Sequence, residues 1–250
     1  MTSWSARCPS PLGLWATSKL NEGAFGMDSI DLEGVKRLLI AAADRVIGHR
    51  EVLTKADQAI GDGDHGVAME RGFAAARQAV TTKPALTAGD VFKNAGLAIL
   101  TQSGGASGAV FGTFFIGAGK PLSRPSLDVS GYAAALVAGL DAVQARGKAK
   151  PGDKTMVDAL SAAIGAVSDA PGHDLCTITI AAAAGARAGS DATKDMIAST
   201  GKAKTLGARS LGYVDPGSIT LALVLEGWAE ALSSMSLRQH DGAEDDSPMH

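Results

Sequence analysis

Residues 32–46 read Leu-Glu-Gly-Val-Lys-Arg-Leu-Leu-Ile-Ala-Ala-Ala-Asp-Arg-Val. Leu32, Val35, Leu39, Ala42 and Val46 recur at steps of 3, 4, 3 and 4 residues, the spacing that lines one face of an amphipathic helix. The same texture continues along the chain. A second helical segment covers about 50–57, and a third runs from Gly66 to Val80 with Met69, Phe73 and Ala76 on one face. Thr87 offers an N-cap for a fourth that extends through Leu100. Ala106–Ala118, Leu127–Ala145, Asp153–Val167 and Gly172–Ala188 are the next four, and a last helix follows Pro216-Gly217 to about Leu232. Cys176–Ile180 (CTITI) has the composition of a strand, but a lone strand has no partner and the alanine run after it favours helix. Strand–helix alternation is missing, which argues against a doubly wound sheet. Short, glycine-rich linkers suit antiparallel neighbours. The expected fold is all-α, a single-domain helical barrel or bundle.

Composition is that of a globular protein: 46% hydrophobic and 20% charged over 250 residues. The formal charge of -3 gives no basic patch of the kind a nucleic-acid partner needs. No run of about 18 apolar residues suggests a membrane span. With only Cys8 and Cys176, no disulfide framework is implied, and a reducing cytoplasm fits. Residues 1–27 lack a helical stripe and the apolar core of a signal peptide, so they read as a flexible leader, with the working chain beginning near Met27. The helical domain spans 28–237, and 238–250 reads as a disordered acidic tail.

Chemistry concentrates in four places. Asp57-Gln-Ala-Ile-Gly-Asp62-Gly-Asp64-His65-Gly66 crowds three carboxylates into eight residues between two helices. Carboxylates this close repel one another unless a cation neutralises them, and magnesium takes carboxylate oxygens while completing its shell with water and phosphate. A solvated Gly-Asp turn is the plainer alternative. A calcium loop is excluded, because the twelfth position counted from Asp62 is Phe73. Ser103-Gly104-Gly105-Ala106-Ser107-Gly108 opens an apolar helix whose backbone N–H groups could meet an anion; a flexible loop reads equally well. Lys154-Thr155 and Lys204-Thr205 lack the preceding glycine of a P-loop. Gly152-Asp153-Lys154-Thr155-Met156 reads as a helix start with Asp153 as its N-terminal residue. Gly201–Gly217 reads as a long loop ending in Asp215-Pro216-Gly217.

In order and spacing these four stretches resemble the L subunit of dihydroxyacetone kinases. Its marks are Asp57 with Ile60–Gly66 and Met69–Phe73, Gly104–Gly108 with Gly112–Phe115, Gly152–Leu160, and Leu206–Gly217. The resemblance covers about residues 30–232. It implies an eight-helix antiparallel barrel that carries ADP or ATP at one end through two magnesium ions. By motif match, Asp57, Asp62 and Asp64 are the metal ligands, and His65, Gly104, Gly105 and Ser107 contact the phosphates. Thr155, Met156 and Arg209 lie around the nucleotide, with Asp215 at its far edge. No catalytic group is expected beyond that site.

The resemblance further implies phosphoryl transfer to dihydroxyacetone or a related short ketose held by a separate K-type subunit. It implies a homodimer and, in one branch, recharging by a phosphotransferase-system phosphocarrier protein. Two rivals stand beside this reading: a non-catalytic nucleotide-binding regulator, and an L-like kinase for another acceptor. The sequence departs from the family pattern at Ala68, at Lys202, Lys204, Thr205 and Ala208, and at Tyr213.

Overall fold

The computed structural model describes residues 27–172 and 174–244. The leader up to residue 26, His173 and residues 245–250 lie outside the described residues. Helix α1 (Leu32–Gly48) starts where the Asp31 carboxylate accepts the Gly34 N–H at 2.8 Å. It buries Val35, Leu38, Leu39, Ala42, Ala43 and Val46, so the opening stripe is the core face. His49 separates it from α2 (Arg50–Ile60). There follow α3 (His65–Thr82), α4 (Ala88–Gln102), α5 (Gly105–Gly119), α6 (Val129–Gly147), α7 (Met156–Ser168), α8 (Leu175–Ala192) and α9 (Pro216–Glu244). Thr87 caps α4 as expected, in a full capping box with Asp90. The CTITI stretch is helical, within α8.

Two short strands were not foreseen. β1 (Ser29–Asp31) and β2 (Ser126–Asp128) pair antiparallel, with Ile30 opposite Leu127. Three residues each is too short to show a period-2 pattern. Helix α9 runs on to Glu244, beyond Leu232 and into the segment read as a tail. No proline interrupts it before Pro248.

The eight long helices form a closed ring. Each of α3 to α9 packs on its predecessor in the order α3, α4, α5, α6, α7, α8, α9, and α1 closes the ring between α9 and α3. Helix α2 stands outside it, against α3 and α9. Hydrogen bonds at the helix starts fix the alternation. The β1–β2 ladder leads into α1 and α6 at one end; Ala88 N–H donates to Arg124 O there, and Leu175 N–H to Met27 O, so α4 and α8 begin at that end too. At the other end His65 at the start of α3 bonds Ser107 in α5 and Thr220 in α9. A Cβ on Gly217 would lie 3.8 Å from Met156 N, which brings the start of α7 there as well. Neighbours are therefore antiparallel, and the positive dipole ends of α3, α5, α7 and α9 converge on one rim.

Trp228, Tyr132, Phe92, Phe114 and Phe115 fill the barrel, with Phe73 and Phe111 continuing the chain of rings toward His65. Glycine sets how closely the walls approach. A Cβ on Gly96 would stand 2.8 Å from Gly112 O and from Ile116 N, so α4 and α5 touch backbone to backbone.

Candidate functional site

The turn between α2 and α3 is shaped by its glycines. A Cβ on Gly61 would fall 2.2 Å from Asp57 Oδ1, and Gly63 adopts φ +79°, a region costly for any side chain. Asp57, in the last turn of α2, is buried, and its Oδ2 accepts the His65 N–H at 3.1 Å. Asp62 and Asp64 face solvent. One oxygen from each of the three lies within 4.8 Å of the others, the only such acidic or histidine cluster among the described residues.

Lys202 reaches this cluster from the segment joining α8 to α9. Its Nζ donates to Asp62 Oδ2 at 2.5 Å and to Asp64 Oδ2 at 3.3 Å. That bond holds the Asp62 carboxyl below its ordinary range. A cation thus already sits against two of the three carboxylates. Three hard oxygens on one side, with the other side open to water, fit a magnesium ion that keeps room for phosphate. The sequence marked Lys202 as a departure, but nothing in its spacing placed it here, 140 positions from Asp62.

Behind the aspartates lies the start of α5. Gly104 and Gly105 have φ +71° and +66°, and no side chain caps the helix, which leaves its first N–H groups unsatisfied, the arrangement that suits an anion. Arg71 braces the loop from α3: its Nε donates to Gln102 O at 2.6 Å and its Nη2 to Ser103 O.

His65 is buried and joins three helices. Its Nδ1 lies 2.9 Å from Ser107 Oγ and its Nε2 2.8 Å from Thr220 Oγ1. The Thr220 hydroxyl already donates to Pro216 O, so Nε2 must carry the proton and donate to Thr220. Nδ1 is then the acceptor for the Ser107 hydroxyl. Burial pushes the imidazole down to about 4, leaving it neutral at pH 7. Both ring nitrogens are engaged within the protein. Within the chain His65 braces Ser107, at the position where the sequence suggested a phosphate contact. Thr220, its other partner, went unread because it sits in the first turns of an apolar helix.

Thr155 N-caps α7, accepting the Val157 N–H at 3.1 Å, and Asp158 completes the capping box at 2.7 Å from Thr155 N. The helix therefore starts at Met156. Asp153, expected as its N-terminal residue, instead accepts the Lys150 N–H in the preceding turn, and Ser199 Oγ donates to it at 2.5 Å. Met156 is buried beside Gly217. Asp215 heads α9, where its carboxylate accepts the Ser218 N–H at 2.6 Å, and burial raises it to about 7. Arg209 is exposed on the α8–α9 segment, with no side-chain hydrogen bond among the described residues. The structure thus gathers the aspartates, Lys202, His65, Ser107 and the α5 start into one bonded group, with Thr155, Met156 and Asp215 on the neighbouring α7–α9 rim.

The DAK2 domain model matches residues 59–230. The ADP-binding subunit DhaL of the PEP-dependent dihydroxyacetone kinase 1 of Listeria innocua is 37% identical over 194 residues, covering 78% of this chain and 93% of that one. The chain belongs to the DhaL family of DAK2 domains. The DhaL subunit of Escherichia coli is also 37% identical, over 70% of this chain and 85% of its own length. Human triokinase/FMN cyclase is 34% identical over 76% of this chain, but the match spans only 33% of that protein. The dihydroxyacetone kinase from C. freundii, solved in complex with AMP-PNP and Mg2+, superposes with a TM-score of 0.60 at 24% identity. That match covers 86% of this chain and 36% of the other, so this DAK2 domain shares the fold of about a third of the larger enzyme.

Proposed function

We propose that this DAK2 domain is the nucleotide-carrying subunit of a dihydroxyacetone-kinase-type phosphotransferase. It holds ADP or ATP at the rim where α3, α5, α7 and α9 begin, and a separate K-type subunit presents dihydroxyacetone or a related short ketose. The observation that carries this reading is the bonded group itself: three carboxylates within 4.8 Å of one another, tied through Asp57 and His65 to Ser107 at the start of α5. The DhaL relatives, named as ADP-binding subunits, support it.

Asp57, Asp62 and Asp64 would hold two magnesium ions, which, when bound, neutralise phosphate charge and orient the terminal phosphoryl group for in-line transfer. The free N–H groups of Gly105 and Ala106 at the α5 start would receive phosphate oxygens. Ser107, its hydroxyl donating a hydrogen bond to His65 Nδ1, is held in a fixed orientation at the α5 start. Lys202 would exchange carboxylate for phosphate as its counter-charge. Met156 offers an apolar wall on the α7 side, and Thr155, Arg209 and Asp215 complete the rim. His49 is remote from the aspartates in the turn between α1 and α2, its ring bonded to Arg45 O, and His65 is fully engaged, so among the described residues this rim offers no histidine base for a sugar hydroxyl. The partner subunit supplies that group. A homodimer, a phosphocarrier protein as the recharging partner and a cytoplasmic setting belong to the same reading; no described helix is long and apolar enough to cross a membrane.

Calorimetric titration of the full chain with ADP, with and without magnesium, tests the site. Binding should require magnesium and weaken at least tenfold in Asp62→Asn. Equal affinity in both proteins, or indifference to magnesium, would remove the aspartates from the site.

A further inference from the structure

Lys154 lies in the Gly152–Leu160 motif, yet the nucleotide reading gives it no task. It is only 2% exposed and stands at φ +61°, one of two non-glycine residues with positive φ among those described. A left-handed backbone disfavours any side chain but glycine, asparagine or aspartate, and a buried ammonium loses its hydration. A position that keeps lysine against both penalties uses the ammonium. Its Nζ donates to Thr193 O at 2.6 Å and to Tyr213 O. Those two carbonyls are the two ends of the segment between α8 and α9. Asp195 and Asp158 lie near enough to offset part of its charge, and Asp215 adds to them when ionised.

Other bonds close the same base: Asp215 N–H to Thr193 Oγ1 and Gly212 N–H to Lys194 O, both at 2.9 Å. Lys154 alone among these ties the base to α7, the helix whose start carries Thr155 and Met156. Further out, Ser199 bonds Asp153, two residues from the α7 N-cap, and Lys202 bonds Asp62 and Asp64. The segment is therefore held to the barrel at its base by Lys154 and at its tip by the aspartates.

We propose that Lys154 is a positioning residue: its ammonium pins both ends of the 193–215 segment to the start of α7, and so sets where Lys202 and Arg209 stand over the nucleotide rim. Its consequence for binding rests on the nucleotide reading above; its consequence for the segment does not. With the pin gone, the tip must be ordered by the nucleotide itself, and affinity falls by the fraction of molecules in which the segment is in place.

The test uses the full chain and two variants, Lys154→Met and Lys154→Arg. Hydrogen–deuterium exchange is read over residues 196–212 and, as an internal control, over 219–232 in α9; magnesium-ADP affinity is measured by calorimetry. In Lys154→Met, exchange of 196–212 should rise about tenfold with 219–232 unchanged, and affinity should fall about tenfold. Lys154→Arg keeps the donors and should recover most of both. Exchange at 196–212 like that of the unaltered chain, an equal rise in both stretches, or an arginine variant no better than methionine would overturn the pin. If Lys154→Met does not fold, Lys154→Gln, which shortens the reach and removes the charge, decides. A rise of exchange at 196–212 well above any rise at 219–232 supports the pin, and segment exchange within twofold of the unaltered chain overturns it. Failure of the unaltered chain to bind magnesium-ADP would sink the nucleotide reading alone, since the exchange result stands without it.

Discussion

Replacing Asp215 by asparagine should stabilise the chain at alkaline pH and leave it nearly unchanged at acid pH. Asp215 heads α9, and burial raises its carboxyl from the ordinary value of 3.8 to about 7. Between those two values the folded chain binds a proton that the unfolded chain has released. Stability then falls as pH rises, by about 1.4 kcal/mol per pH unit, with nothing further lost above the folded pKa. Across the interval of roughly three units the cost of ionising Asp215 is on the order of 4 kcal/mol. Asparagine keeps an oxygen for the Ser218 N–H and never ionises. Denaturant unfolding of both proteins from pH 4.5 to 8, without nucleotide or magnesium, measures the difference, in which the other groups largely cancel. The stability advantage of Asp215→Asn should grow by several kcal/mol over that range. A difference that is flat, or that shrinks with pH, would refute the burial argument. If the proposed nucleotide rim is right, the same variant should also bind magnesium-ADP more weakly.

Two further outcomes follow from the packing. His65→Gln, which cannot span Ser107 and Thr220 at once, should lower stability by about 1–3 kcal/mol in denaturant melts at pH 7; a loss under about 0.5 kcal/mol would contradict the three-helix brace. Gly96→Ala pushes a methyl against the α5 backbone at 2.8 Å and should cost about 1–3 kcal/mol or more by the same measurement, whereas an unchanged melt would mean that the α4–α5 approach is looser than described.

The helices were legible because each carries its own periodicity and cap: the Leu32–Val46 stripe, Thr87 before α4, and the alanine run that decided CTITI. The ring was legible only through the family resemblance. Closure depends on α1 meeting α9, and no local pattern records that contact. The β1–β2 ladder escaped because three-residue strands carry no alternation. The start of α7 was placed too early because Asp153 and Thr155 are both good capping residues, and only the reciprocal bond with Asp158 separates them. At the site, the aspartates announced themselves by their crowding within one turn. Lys202, Thr220 and Lys154 did not, since each acts on a residue far off in sequence. His65 was noticed for its motif, but its tautomer follows only from the Thr220 bond to Pro216.

The central claim is a division of labour, in which this chain carries the nucleotide and another subunit the ketose. It is tested by assaying the purified chain with ATP, magnesium and dihydroxyacetone through coupled detection of the ketose phosphate, alone and with a K-type subunit. A parallel reaction adds a phosphorylated phosphocarrier protein. No turnover is expected from the chain alone, and turnover is expected on adding the K-type subunit, by itself or together with the carrier. Sustained turnover by the chain alone would contradict it and place an acceptor site within the helical barrel.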